Sequence, residues 1–131
     1  MPDRTVTARW LGDYRVDVTA GDFGLRVDEP ASVGGDDTGP QPTDLLLASV
    51  SSCFVLSLAW AAKKRGILLE SIGVSVTATY DGPRFSRIAI EVDLPGDADQ
   101  AEALIAAAER VCYVTNTLRR TPEIEIRRTQ L

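Results

Sequence analysis

The sequence predicts a single α+β domain, and three features of the chain lead to this prediction. Short alternating or β-branched segments open the chain, a long apolar helix occupies its middle, and a second β pair with two further helices follows. The length of 131 residues suits one domain, at roughly 100–200 residues per domain. The expected order is βββ-α-ββ-αα-β, with antiparallel sheets around a long buried central helix.

The first three strands are expected to form an antiparallel meander, because Gly-Asp pairs mark tight turns between them. They cover Arg4–Trp10, Tyr14–Thr19 and Gly24–Asp28. The loop from Glu29 to Pro42 follows, and its prolines and glycines predict that it holds no regular element.

The central helix begins at Pro42-Thr43-Asp44 and ends at Gly66. Lys63-Lys64-Arg65 in the last turn complements the negative end of the helix dipole, and we expect these side chains to be solvated. The stretch Leu45–Ala62 approaches membrane-span length, but its four serines and polar surroundings favour a core helix. The N-terminal residues lack the apolar core of a signal peptide, so we expect a soluble, cytoplasmic protein with no membrane partner.

The second half of the chain is expected to contain a β pair, two helices and a last strand. Their predicted bounds are Ile72–Tyr80, Phe85–Leu94, Ala98–Arg110, Cys112–Arg119 and Glu123–Thr129. Pro122 is expected to separate the short helix from the last strand.

The composition excludes several kinds of chemistry. The chain has no His, which removes the Ser-His-Asp triad and imidazole metal ligands, and two Cys cannot complete a four-ligand zinc site. A net charge of −5 argues against a nucleic-acid partner, because such binding depends on Lys and Arg neutralising phosphates. The chemistry of this chain therefore depends on thiols, carboxylates, guanidinium groups, hydroxyls or backbone.

The two cysteines occupy different predicted environments. Cys53 lies on the central helix, which is apolar all round, so we expect it to lie deep and near an interface with a second copy of the chain. Cys112 lies at or near the start of a helix, where the dipole and Arg110 favour the thiolate. The alternative, in which both are small core residues, stays open on spacing alone.

Three segments carry a resemblance to a known family. They are Gly34–Pro42, then Asp44–Ala48 with Cys53 eleven residues after Pro42, and Cys112–Leu118, which is similar to a Cys-Pro-Val-Ser-Asn-x-Leu motif. The chain resembles the OsmC/Ohr family of osmotically inducible and organic hydroperoxide resistance proteins, in a divergent OsmC-like branch. The resemblance covers essentially the whole chain.

The resemblance implies an intertwined homodimer with active sites at the interface. It also implies a thiol peroxidase acting on organic or hydrogen peroxides in oxidative stress defence. Cys53 would be the peroxidatic thiol and Cys112 the resolving thiol, linked through a sulfenic acid and a disulfide. A lipoyl-type dithiol would reduce that disulfide, and no metal, flavin or haem cofactor is implied.

Two positions depart from the family pattern. Thr43 stands where active members carry a Glu that orients an Arg, and Tyr113 stands where Pro is usual. The carboxylate one place later, Asp44, is either that orienting group or a helix-start residue. The stretch Gly12-Asp13-Tyr14-Arg15 in the predicted meander offers Arg15 as the activating cation.

Arg9 and Arg26, on the neighbouring strands, are alternatives to Arg15 as the cation that activates Cys53.

Two functions remain possible on the sequence alone. A thiol without such a cation would be inert, so the second function is a non-catalytic dimer that binds an apolar small molecule or senses redox state.

Overall fold

The computed structural model describes residues 1–129, which form two compact units. The first comprises Met1–Leu46, and the second begins at Leu47. The chain is mixed α+β with antiparallel strands and three α-helices among the described residues, as the sequence predicts. The single-domain organisation over residues 1–131 stays a prediction.

The first unit contains the predicted antiparallel meander. Its strands are β1 (Val6–Gly12), β2 (Arg15–Ala20) and β3 (Phe23–Val27), paired in the order β1-β2-β3. Tight turns join them. The following loop differs from the prediction, because Ala31–Val33 forms one 3-10 turn that ends at Gly34 with a φ of 95°.

The loop after β3 is organised around Asp28, whose side chain is buried. The hydroxyl and the backbone N–H of Thr38 both donate to its carboxylate, and so do the backbone N–H groups of Glu29 and Asp36. The hydrogen bond from the Thr38 hydroxyl is the main reason that the pKa of Asp28 falls to about 2, against the opposing effect of burial. The carboxylate therefore fixes the path of a loop that lacks sheet pairing.

Two glycines let this loop fold tightly on itself. A Cβ atom at Gly35 would lie 1.9 Å from the carbonyl oxygen of Glu29, and one at Gly39 would lie 2.2 Å from that of Arg26. Any side chain at either position would collide with backbone, so the Gly-rich composition of the loop has a steric cause.

Helix α1 (Pro42–Lys64) begins at the predicted proline and ends two residues before the predicted glycine. Gly66 has a φ of 68°, its N–H donates to the Lys63 carbonyl, and the N–H of Ile67 donates to the Ala62 carbonyl. This pair of hydrogen bonds is the Schellman arrangement, which needs a residue in the left-handed region.

Helix α1 is buried along one stripe rather than on every side. The buried residues recur at helical spacing and are Val50, Phe54, Ser57, Leu58, Ala61 and Ala62. Leu56, by contrast, is 69% exposed in the single chain. The helix is long and apolar enough to cross a membrane, with a mean hydropathy of 2.0. Four of its six buried residues belong to the core cluster of the second unit, so α1 is the core helix of a soluble fold.

The second unit packs α1 against a hairpin and two consecutive helices. The hairpin consists of β4 (Gly73–Asp81) and β5 (Arg84–Asp93), and the helices are α2 (Ala98–Val111) and α3 (Tyr113–Arg119). Asp97 caps α2 by accepting from the backbone N–H groups of Asp99 and Gln100. The core consists of Phe54, Leu58, Ala61, Ala62, Leu104, Ala107, Ala108 and Cys112, with partly buried residues of both strands against it.

The prediction of a last strand at Glu123–Thr129 is wrong for the single chain. Residues 121–129 form no regular element, although Ile124 and Ile126 alternate with charged residues as a half-buried strand requires. A strand needs an edge that supplies hydrogen bonds. Among residues 1–129, the strands pair only within the meander and within the β4-β5 hairpin.

The acid stability of the first unit tests the role of Asp28. A carboxyl whose pKa is lowered on folding stabilises the fold above its ordinary pKa of about 4, and this stabilisation is lost as the pH falls toward 2. Thr38→Val removes the strongest donor, so we expect the variant to unfold at a higher pH than wild type in acid titrations followed by circular dichroism. Thr19→Val, an exposed substitution on β2, is the control. Equal acid midpoints for the two variants would contradict this role.

Candidate active site

The structure brings Cys53 and Cys112 together in the second unit. Cys112 is fully buried and belongs to the core cluster, whereas Cys53 is half-buried and packs at its edge. Both thiols are free, and a hydrogen bond from Cys53 is among the influences that lower the pKa of Cys112. Cys53, which was expected to lie deep, is therefore the more accessible of the two.

Cys112 is held by the junction of two helices. It ends α2, where its N–H donates to the Ala108 carbonyl over 3.0 Å, and it precedes α3, where its carbonyl accepts from the N–H of Asn116 over 3.0 Å. This confirms its predicted place at a helix start. Because both backbone groups are used, the Cys112 side chain has little freedom to leave the core.

Two hydroxyls complete the surroundings of the Cys112 thiol. Burial is the largest single influence and raises its pKa, but hydrogen bonds from the hydroxyl and the backbone N–H of Thr115, and then from Cys53 and Ser57, outweigh it. The net result is that the pKa of Cys112 lies below its ordinary value. The Ser57 hydroxyl donates to the Cys53 carbonyl over 2.8 Å, and the Thr115 hydroxyl donates to the Cys112 carbonyl over 3.4 Å.

Sequence reasoning did not identify Ser57 or Thr115 as site residues. Ser57 lies one turn after Cys53 on α1, and Thr115 lies three residues after Cys112 in the first turn of α3. This helical spacing from each cysteine is the signal that was available in the sequence. Both side chains are buried, as expected for hydroxyls that serve an internal group.

An apolar pocket opens beside Cys53. Its volume is about 450 Å³, and it is lined by Cys53, Leu56, Ser57, Trp60, Val111 and Tyr113. The size falls within the range of small-molecule sites, about 300–1,000 Å³. Since Cys112 is buried, Cys53 is the thiol that a molecule in this pocket can reach.

The candidate arginines lie in the first unit, on its strands. Arg15 contacts the carboxylates of Asp36 at 3.2 Å and Asp13 at 3.6 Å. Arg26 pairs with Asp17 at 2.9 Å, and Arg9 is exposed on β1.

The remaining positions that the sequence singled out lie on α1 and α3. Asp44 lies in the first turn of α1, next to Thr43. Tyr113 is the first residue of α3, and it lines the pocket beside Cys53 although the family pattern has proline there.

Comparison with known proteins identifies the family. Residues 34–127 match the family model described as OsmC-like protein, and the chain belongs to this family. A curated relative, an uncharacterized protein from Haloferax volcanii, is 30% identical over 103 residues, covering 76% of this chain and 74% of the relative.

Solved structures show the same fold. An OsmC-like protein from Mycoplasma pneumoniae aligns with a TM-score of 0.80 at 17% identity, covering 92% of this chain and 89% of that one. An organic hydroperoxide resistance protein OsmC from Legionella pneumophila aligns with a TM-score of 0.70 at 24% identity, covering 92% and 91%. The predicted resemblance and the OsmC-like fold are thereby confirmed.

The titration of the thiols tests the role of Thr115. Thr115→Val removes one of the hydrogen-bond donors that lower the pKa of Cys112, with little change in volume, so we expect that pKa to rise. The ultraviolet absorbance of thiolate in the reduced protein, followed against pH, measures this shift.

Thr117→Val is the matched control for this titration. Thr117 lies on the same helix, but its hydroxyl donates to the Tyr113 carbonyl over 2.7 Å instead. Superimposable thiol titration curves for wild type and both variants would show that Thr115 does not act on Cys112.

Proposed function

We propose that this protein is a thiol-dependent peroxidase that reduces organic or hydrogen peroxides through Cys53 and Cys112. The observation that carries the proposal is the pairing of an accessible thiol in an apolar pocket with a buried thiol whose pKa is lowered. Family membership supports it, and the structural relative from Legionella pneumophila is described as an organic hydroperoxide resistance protein.

The thiolate of the buried Cys112 is the first proton acceptor in the proposed reaction. The hydrogen bonds that lower the pKa of Cys112 favour its thiolate, so the proposed reaction starts from a negative charge on Cys112 and a proton on the Cys53 sulfur. Transfer of that proton to Cys112 leaves a Cys53 thiolate facing the pocket. This thiolate attacks the distal peroxide oxygen, the O–O bond breaks, and the alkoxide takes the proton from Cys112 to leave as an alcohol.

Resolution then uses the same pair of sulfurs. The Cys112 thiolate attacks the sulfur of the Cys53 sulfenic acid, which forms a disulfide and releases hydroxide. A lipoyl-type dithiol restores both thiols by exchange and becomes a cyclic disulfide itself. Cys53 is the sulfur that such a reductant would attack, because Cys112 is buried.

We propose Arg15 as the cation that favours the Cys53 thiolate and stabilises the breaking O–O bond, with Asp44 as its orienting carboxylate. Because the chain has no His, arginine is the residue that can direct several N–H donors of one planar guanidinium at the thiolate and the breaking O–O bond. The proposed site of action is the cytoplasm, where thiols are kept reduced.

We also propose that the protein works as an intertwined homodimer. Large apolar side chains flank the pocket without cover in the single chain, since Leu56 and Tyr113 are each 69% exposed. Ile124 and Ile126 are 77% and 93% exposed on a segment that alternates like a strand. A second copy that pairs with this segment and covers the pocket would bury all four side chains.

Reaction with cumene hydroperoxide tests the peroxidase proposal. We expect wild type to lose both thiols rapidly with one equivalent of peroxide, and Cys112→Ser to stop at a sulfenic acid on Cys53. Cys53→Ser should react no faster than free cysteine, because its remaining thiol is buried. Thiol counting and intact-mass spectrometry follow both products. Equal rates for wild type and Cys53→Ser would reject the proposal.

The same assay distinguishes between the three arginines. If Arg15 activates Cys53, Arg15→Gln should slow the reaction about 100-fold or more, the effect of losing a preorganised charge at a transition state. Arg26→Gln and Arg9→Gln are matched controls, since both lie on strands of the same meander. An unchanged rate in Arg15→Gln would reject this role without affecting the assignment of the cysteines.

The dimer proposal is tested by sedimentation equilibrium. We expect wild type to be dimeric, and Ile124→Ala combined with Ile126→Ala to weaken the dimer roughly tenfold or more, because buried apolar area is lost. Glu125→Ala, between the two isoleucines, is the control and should leave the dimer intact. A monomeric wild type, or equal weakening in both variants, would contradict the proposal.

A non-catalytic role is the second candidate. It is favoured by the ion pairs of Arg15 and Arg26, which already neutralise both guanidinium groups with carboxylates of the first unit. The pocket beside Cys53 would then bind an apolar molecule without chemistry. This function would be supported if the thiols do not react with peroxide while the protein still binds an apolar ligand.

A further inference from the structure

A second pocket adjoins the one lined by Cys53, because the two share Trp60 and Val111. Its volume is about 410 Å³, and its other lining residues are Lys64, Arg65, Ala107 and Arg110. Three of its six lining side chains are cationic and none is acidic. The chain as a whole carries a net charge of −5, so this concentration of positive charge is local.

The cations of this pocket are not neutralised within the described structure. Among residues 1–129, the ion pairs involve other arginines. The Arg65 guanidinium donates to the Ala61 carbonyl over 3.1 Å, and the Lys64 Nζ lies 4.9 Å from the centre of the Trp60 ring.

The two helix ends at the pocket lower its positive charge but do not cancel it. Lys64 is the last residue of α1 and Val111 the last of α2, so both helices end here. Each C-terminus contributes about half a negative charge, roughly one in total, against three full positive charges. The balance favours an anion.

We propose that the pocket of Lys64, Arg65 and Arg110 binds the carboxylate of an organic acid whose apolar part lies across Trp60 in the pocket beside Cys53. Charge complementarity favours a carboxylate in the cationic pocket, and the apolar lining of the adjoining pocket favours the apolar part of the acid. The site makes the protein select acids over neutral molecules of the same shape. Its bearing on substrate choice rests on the proposed peroxidase function, but binding itself needs no thiol chemistry.

Calorimetric titration of the full-length protein with octanoate and with octanol tests this site. The two probes share a hydrocarbon chain and differ in charge, so wild type should bind octanoate about threefold to fivefold more tightly, as expected for partly exposed ion pairs. This preference should shrink as salt is raised, because exposed charges are screened. Arg110→Gln should remove most of the preference while leaving octanol binding unchanged.

Lys63→Gln is the matched control, because it removes one charge from α1 at a position that does not line the pocket. We expect its preference for octanoate to equal that of wild type. Equal affinities of wild type for octanoate and octanol, no binding of octanoate, or equal losses in Arg110→Gln and Lys63→Gln would each overturn the proposal. No peroxide is used, so an inactive but acid-selective protein would reject the peroxidase function alone.

Discussion

The chemistry of the second unit depends on how Cys112 is held between α2 and α3. Its backbone ends one helix and starts the next, and its side chain packs within the core formed with α1. A thiol in this position cannot move toward solvent without disrupting two helix ends. The partner sulfur must therefore come to it, and Cys53 on α1 does so from the edge of the same core.

Both units bury one ionisable group and satisfy it through a threonine hydroxyl. In the first unit, Thr38 donates to Asp28 and the loop after β3 folds around that carboxylate. In the second unit, Thr115 and Ser57 act on the Cys112 thiol. Burial opposes the charged form in both cases, and the donors outweigh it. The consequences differ, because a fixed carboxylate orders a loop whereas a stabilised thiolate takes part in chemistry.

Local signals in the sequence predicted most of the fold. Turn residues and period-two patterns located both antiparallel groups of strands, and Pro42 with Gly66 located the ends of α1, because each signal acts within a few residues. The strand expected at Glu123–Thr129 failed for a different reason, since a strand also requires a pairing edge that local pattern does not supply.

The site was only partly predictable because its details depend on packing. Both cysteines were identified, but their relative depths depend on how α1, α2 and α3 meet. Ser57 fell within a serine-rich helix, where nothing local distinguishes the hydroxyl that serves a thiol. Lys64 and Arg65 were predicted as solvated cations at the end of the central helix, but only the tertiary structure places them with Arg110 around one pocket.

Peptide mapping of the oxidised protein under non-reducing conditions tests the central claim most directly. After one equivalent of peroxide, the account predicts a single disulfide that joins the peptide containing Cys53 to the peptide containing Cys112. A mixed-isotope sample, made from light and heavy chains, should show this bond within one chain, because both sulfurs lie in the same second unit. Disulfides that join Cys53 to Cys53 between chains, or over-oxidised Cys53 beside an unchanged Cys112 thiol, would contradict it.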